Sequence, residues 1–250
     1  MLRNFSSPRR GFGRLFNAMA VAAALCAAPL SQAGVLDFET PVDAPFVFAD
    51  DVIQMGNYYV QGAGTPGFVG AIGGNDACFG LQCPANNATN YYSAVDDGYL
   101  FFGMWDGSAF SLSSLQASFI GNGQPSYPSV AALLEITAFN ANGTIVDDIF
   151  VNLAGPTGGT FNFATYDLSG FGNGAMFTDV RLASFACTVG STTCDRTTNQ
   201  AQFAVDNIVT VDAAADVPEP ASFALLGLGL LGLGAARRVA SRPVASRNAA

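Results

Sequence analysis

Between Gly34 and Asp212, apolar and polar residues alternate in short runs closed by Gly, Pro, Asn and Asp. This is the period-two pattern of strands with one buried face. The runs predict strands over Val35–Glu39, Phe46–Ala49, Phe68–Ile72, Tyr99–Trp105, Phe110–Leu112 and Leu115–Ile120. Further strands are expected over Ala131–Asn140, Thr144–Leu153, Phe161–Leu168, Met176–Cys187 and Gln202–Val211. Asn142-Gly143 lies between two of these runs and favours a tight hairpin turn. No long amphipathic helical spacing and no fixed-period repeat interrupts the pattern. The expected fold is all-β: a single β-sandwich, jelly-roll-like, over residues 34–212, a length that buries a real core without splitting into two domains.

The two ends of the chain follow a different pattern. Arg3, Arg9, Arg10 and Arg14 precede or open an apolar run from Leu15 to Leu30, broken only by Asn17, and Ser31-Gln32-Ala33 closes it. That order is a secretory signal peptide over residues 1–33, carried by the secretion translocon and cut by signal peptidase before Gly34. Arg9-Arg10-Gly11-Phe12 faintly resembles a twin-arginine export signal. At the other end, residues 213–220 form a linker. Ala221–Ala236 then carries no charge, and sixteen helical residues span about 24 Å. With Val217 and Val239 this approaches a membrane span. Arg237, Arg238, Arg242 and Arg247 follow and mark residues 237–250 as a basic cytoplasmic tail. The glycines at 227, 229, 232 and 234 lack the lysine and the preceding strand that a phosphate loop needs.

Pro218-Glu219-Pro220, an uncharged helix and an arginine cluster stand in that order. The arrangement resembles the bacterial PEP-CTERM sorting signal. The resemblance implies recognition by an exosortase, a membrane-embedded cysteine transpeptidase that cuts near the motif. The helix would then hold the chain in the inner membrane only until processing, and the domain would pass to the cell envelope or beyond. The stretch AQFAVDNIV at Ala201–Val209 is similar to the QFxxD signature of one PEP-CTERM subgroup, with Gln202, Phe203 and Asp206 in place. DFE, GFVGAI, CFGLQC, DDGYLFF and FSLSSLQASFIG also look like that subgroup. The likeness brings no catalytic residue with it.

Charge divides the chain as sharply as hydropathy does. All nineteen acids lie between Asp37 and Glu219, where Arg181 and Arg196 are the only bases. That segment carries a net charge of −17, against −9 for the whole chain, which disfavours nucleic acid and anionic lipid as partners. Cys26 leaves with the signal peptide. Cys78, Cys83, Cys187 and Cys194 remain, an even number that suits two disulfides in an oxidising compartment. Three connectivities are open, of which the local pairs Cys78–Cys83 and Cys187–Cys194 close short loops. Zinc is disfavoured by the spacing and by the absence of histidine.

Candidate chemistry is narrow. Without histidine or lysine, Ser-His-Asp, Cys-His and lysine nucleophiles are excluded. Asp50-Asp51, Asp96-Asp97 and Asp147-Asp148 are paired acids, but neighbours on a strand point to opposite faces, so none is by itself a catalytic pair. Turn chemistry or solvation explains such pairs. Phe203, Val205 and Asn207 are expected on one face of the last strand, with Gln202, Ala204, Asp206 and Ile208 on the other. Asp206 in an apolar strand must be hydrogen-bonded, paired or bound to metal. By analogy with jelly-roll carbohydrate-binding modules, Glu39 and Asp206 are candidate ligands of a structural calcium, with Asp37 or backbone carbonyls adding oxygens. The alternative is that Asp206 caps a turn or accepts from backbone amides. Tyr99 and Trp105 are candidate sugar-stacking rings, and Tyr58-Tyr59 and Tyr91-Tyr92 are further exposed candidates. The expected function is non-catalytic: an exported envelope or matrix protein that contacts exopolysaccharide. Alternatives are a carboxylate-dependent glycan hydrolase and a structural surface protein with no soluble ligand.

Overall fold

The computed structural model describes residues 33–39, 46–191, 193–196 and 200–212. The predicted signal peptide lies outside the described residues except for Ala33, which opens the first strand, and the predicted linker, Pro218-Glu219-Pro220, the apolar run and the predicted basic tail lie outside them. Fourteen strands are described: β1 (Ala33–Leu36), β2 (Phe46–Phe48), β3 (Val52–Met55), β4 (Tyr58–Ala63), β5 (Phe68–Gly73), β6 (Tyr91–Ala94) and β7 (Tyr99–Met104), then β8 (Phe110–Phe119), β9 (Val130–Phe139), β10 (Ile145–Ala154), β11 (Ala164–Asp167), β12 (Asp179–Cys187), β13 (Cys194–Asp195) and β14 (Phe203–Asp212). Helix is confined to 3₁₀ turns at Asn75–Cys78 and Phe171–Gly174 among these residues.

The strands form two antiparallel sheets that face one another. Sheet A runs β11-β8-β14-β6-β5-β2, with β1 also paired to β14; sheet B runs β10-β9-β12-β7-β4-β3, with β13 on β12. From β6 onward the chain crosses repeatedly between sheets, so sequence neighbours such as β7 and β8 end in different layers. Alternation fixes which side chains fill the gap. Leu100 and Phe102 on β7, Leu134 and Ile136 on β9, Val180 and Leu182 on β12, and Phe203 and Val205 on β14 all enter one core.

Several expected strands change length or gain neighbours. Phe110–Leu112 and Leu115–Phe119 are one strand, β8, which continues through Ser113-Ser114 with a register shift against β14. The run at Phe161–Leu168 is a strand only over β11. β3 and β4 make a hairpin absent from the strand prediction: Met55 pairs with Tyr58 across Gly56-Asn57. Gly56 has φ 59°, the left-handed position that a two-residue turn of this kind needs. Asn142-Gly143 does turn the β9–β10 hairpin. The turn begins at Asn140, whose carbonyl accepts from Gly143 N–H at 2.8 Å, and Gly143 takes the left-handed position with φ 72°. β6 was also absent from the prediction. Tyr91 and Tyr92 on it are fully buried, and Tyr58 is buried as well, so these tyrosines pack in the protein instead of offering exposed faces.

Strict alternation fails once on β14, the strand at the centre of sheet A. Opposite β8 the register runs from Asp206↔Gln116 to Val209↔Ser114. β14 therefore uses three residues where β8 uses two, which is a bulge. Asn207 occupies it with φ 48°. Ile208 consequently joins Phe203 and Val205 in the core, on the face opposite to the one that unbroken alternation assigned it. Asparagine tolerates left-handed backbone better than other non-glycine residues do. Asn207→Val is expected to cost about 2 kcal/mol or more, and Asn207→Gly less than about 1 kcal/mol. Urea melts of both variants check this; equal losses would mean that backbone conformation is not what Asn207 supplies.

Candidate functional site

The outer face of sheet A carries an exposed aromatic ledge. Val47 on β2 and Val69 on β5 enter the core, so their neighbours Phe46, Phe48 and Phe68 point outward. Phe79 joins them from the loop closed by the Cys78–Cys83 disulfide. The Phe68 and Phe79 rings meet edge to face at 4.7 Å, and Phe46 lies 5.7 Å from Phe79. Phe46, Phe48 and Phe79 are about half exposed, at 49%, 51% and 43%. Large apolar rings gathered in this way at the surface are unusual unless something covers them.

The loop that presents Phe79 is anchored from below. Cys78 is fully buried in a second apolar cluster with Tyr91, Ile120, Phe163 and Ala204. Tyr91 and Ala204 alternate with Tyr92 and Val205, which belong to the main core, so this cluster lies on the outer face of sheet A. Gln82 exchanges two backbone hydrogen bonds with Gly121, at 2.8 and 3.0 Å. The disulfide thus pins one loop between an apolar footing and a strand-like bridge. The second local pair also forms, joining Cys187 on β12 to Cys194 on β13 across the ladder.

Beyond Phe68 and Phe79 the ledge opens into a groove of about 720 Å³. Its polar wall holds Asp96, Asn122, Gln124, Gln200 and Gln202. Gln124 Nε2 donates to Gln200 Oε1 at 2.7 Å, and Tyr127 donates its hydroxyl to Asn122 Oδ1 at 2.9 Å. The β6–β7 turn fixes this wall. Asp96 and Asp97 both have left-handed backbone, with φ 53° and 56°, and Gly98 N–H donates to the Val95 carbonyl at 2.8 Å. The Asp97 carboxylate accepts from Ala201 N–H at 2.9 Å and so holds the chain between Gln200 and Gln202. This acid pair serves turn geometry, as the sequence suggested.

Gln202 is the residue of the wall that the fold does not satisfy. It is 5% exposed, and its Oε1 has no hydrogen-bond partner among the described residues. A buried amide oxygen left unpaired costs about 1–3 kcal/mol. Gln202 precedes Phe203, a core residue, so alternation turns it outward into the groove. The three residues of the QFxxD-like stretch therefore have distinct positions: Gln202 in the groove, Phe203 in the core and Asp206 beside the bulge.

Tyr99 and Trp105 belong to the other layer, on and just beyond β7 of sheet B. Six residue steps of extended chain separate them, about 20 Å, so they do not form one platform. Arg196 lies over the Tyr99 ring, 3.2 Å from its centroid. Trp105 stays 52% exposed at the end of its strand.

Asp206 is buried where β14 changes neighbours, from β6 at 203–205 to β1 at 208–211. Side chains fill the gap left in the ladder. Asp206 Oδ2 accepts from Asn87 Nδ2 at 2.7 Å, Asn207 Nδ2 at 3.1 Å and Thr89 Oγ1 at 3.3 Å, and Oδ1 accepts from Asn207 N–H at 2.7 Å. Glu39, the other proposed calcium ligand, accepts from Asn90 N–H at 2.6 Å and is near enough to act on Asp206 electrostatically. The groups around Asp206 are N–H and O–H donors, whereas calcium needs six to eight oxygens. No group of three acidic, histidine or cysteine side chains suited to a metal occurs among the described residues. The arrangement fits a hydrogen-bonded carboxylate and lends no support to calcium at Glu39 and Asp206. Calorimetry is expected to give the same melting temperature with chelator as with calcium, and a clear rise with calcium would restore Glu39 and Asp206 as ligands.

The fold and groove define a two-sheet β-sandwich with a mixed aromatic and amide surface site. Residues 216–238 match the PEP-CTERM protein-sorting motif; the chain therefore carries the signal of an exosortase-sorted exported protein, held at the membrane before processing. A search of curated proteins finds no match. Among solved structures, the chain is similar to a DUF4465 family protein from Bacteroides caccae, at 13% identity over 73% of this chain and 100% of that one, with a TM-score of 0.49. A CBM22-1 xylan-binding domain from Paenibacillus barcinonensis Xyn10C matches at 11% identity over 76% and 99%, with a TM-score of 0.33. A Streptococcus pneumoniae fucose binding module matches at 6% over 49% and 70%, with a TM-score of 0.30. These likenesses concern general architecture alone. No helix among the described residues is long and apolar enough to cross a membrane, and the predicted span lies outside them.

Burial pushes the Asp206 carboxyl pKa up; hydrogen bonds from Asn87, Asn207 and Thr89 oppose the shift, and Glu39 adds to it. The folded protein therefore holds this proton to higher pH than the unfolded chain, whose carboxyl titrates near ~3.9. The stability it contributes is fully present below that value and is lost as pH rises through the folded one. Asp206→Asn is expected to flatten this part of the profile. It is also expected to cost about 1–3 kcal/mol, because its amide NH₂ would face existing donors. Urea melts from about pH 4 to about pH 7 check both effects; a variant profile parallel to the parent would contradict the assignment.

Proposed function

We propose that the mature protein is a non-catalytic component of the cell envelope or extracellular matrix that binds polysaccharide through the groove on sheet A. The observation that carries binding is the placement of an unpaired, buried amide oxygen on Gln202 beside an exposed phenylalanine ledge. Aromatic faces stack on the C–H faces of sugar rings while amides exchange hydrogen bonds with hydroxyls. The sorting motif at residues 216–238 supplies the route. On that route the exosortase is the processing partner, and the inner membrane holds the chain only transiently.

The carboxylates support a binding role over hydrolysis. Asp96 is the acid lining the groove among the described residues, whereas a glycosidase needs two opposed carboxyls across the bond it cuts. Asp206, whose pKa is raised, is fully buried beneath Asn87 and Thr89. The QFxxD-like stretch fits the same role, with one residue for the ligand, one for the core and one for the bulge. No cofactor is required.

Two experiments test this proposal. Replacing Pro218-Glu219-Pro220 with alanines should leave chain with an uncut C-terminal tail in the inner membrane, seen by mass spectrometry of fractionated envelopes; normal processing of the variant would sink the sorting route. Phe46→Ala combined with Phe79→Ala should lower retention on envelope polysaccharide about tenfold or more while the melting temperature stays within a few degrees, since both rings are half exposed. Trp105→Ala should retain binding. Loss with Trp105→Ala alone would move the site to sheet B.

A further inference from the structure

We infer that the groove selects uncharged glycans and rejects anionic ones, with Gln202 as the residue that reads a sugar hydroxyl. This conclusion rests on polysaccharide binding at the groove and goes on to name the ligand class. Its basis is which groups reach the groove and which are engaged elsewhere.

No basic side chain among the described residues lines the groove. Both arginines of the acidic segment are already held. Arg181 pairs with Glu135 at 2.6 Å and donates to Thr137 at 3.0 Å on sheet B. Arg196 donates to the Asp97 backbone carbonyl at 2.8 Å and lies over Tyr99. The chain contains no lysine or histidine, and its other arginines lie outside the described residues. A uronate or sulfate entering the groove would shed water and meet the Asp96 carboxylate with no counter-charge. The −17 charge of the segment adds a longer-range repulsion, screened over about 8 Å at physiological salt.

What remains in the groove is suited to hydroxyls. Gln124 donates one hydrogen bond to Gln200 Oε1, and Asn122 Oδ1 accepts from Tyr127. Gln202 has a side-chain acceptor without a partner among the described residues. A sugar hydroxyl both donates and accepts, so it pairs with this amide in either orientation of the side chain. The neighbouring Phe68 and Phe79 rings offer a face for the ring that carries the hydroxyl.

The test uses the full-length chain purified in detergent, run on native gels cast with one polymer each: xylan, dextran or hydroxyethylcellulose as neutral probes, alginate or polygalacturonate as anionic ones. At least one neutral polymer should retard the protein and neither anionic polymer should do so. Gln202→Ala and the near-isosteric Gln202→Glu should each weaken the neutral interaction about tenfold. Asp96→Asn keeps a residue suited to left-handed backbone. It should raise anionic binding about threefold. Retardation by an anionic polymer equal to the neutral one overturns the selectivity, as does an unmoved anionic interaction in Asp96→Asn. Parent-like binding by both folded Gln202 variants overturns the role of that residue. No retardation by any polymer overturns polysaccharide binding itself and the selectivity with it.

Discussion

A single extra residue in β14 sets the direction of every later side chain in that strand. The strand is flanked by β8 on one side and by β6, then β1, on the other. Where the neighbour changes, no ladder partner continues across the gap. The bulge at Asp206-Asn207 absorbs that change, and side-chain donors from Asn87, Thr89 and Asn207 surround the carboxylate left in the opening. Without the extra residue, Ile208 would face away from the core while Phe203 and Val205 faced into it. The bulge lets both halves of the strand fill one core and lets Gln202 keep its outward position.

Separating the interior from the outer layer produces the groove. The main core is filled by aliphatic and aromatic side chains from both sheets. The outer face of sheet A holds a second, smaller apolar cluster that roots the Cys78–Cys83 loop. That loop has no regular strand to define it, so its covalent closure and its bridge to Gly121 stand in for a ladder. Phe79 can remain at the surface because Cys78 beneath it is fully buried. A rigid ring on a short closed loop is ordered before a ligand arrives, which reduces the entropy lost on binding.

The strand content was legible because alternation is local. β9, β10 and β12 follow directly from runs of apolar residues at every second position, and the β9–β10 turn from Asn142-Gly143. The β3–β4 hairpin carried its own signal in Gly56-Asn57 between Met55 and Tyr58, yet Tyr58-Tyr59 reads equally as an exposed aromatic pair. Tyr91-Tyr92 misled for the same reason, since two adjacent rings on a strand cannot both be assigned a face until the layers on either side are known. Tyr91 enters the outer cluster and Tyr92 the main core, so both vanish from the surface. Phe46, Phe48, Phe68 and Phe79 escaped notice as a site because 21 phenylalanines look alike in sequence, and four of them meet only when β2, β5 and the disulfide loop are side by side.

The sequence alone determined the sorting tail, the acidic charge of the exported segment, the all-β class and the cysteines available for short disulfide loops. Each depends on residues close together in the chain or on a sum that ignores geometry. Tertiary structure decided the phase of β14, the burial of Tyr58, Tyr91 and Tyr92 and the meeting of Gln202 with Phe68, Phe79 and Asp96. Those depend on which strand lies beside which. A period-two pattern specifies that a residue faces one side or the other, but only the neighbouring strands and the layers above and below decide what it finds there.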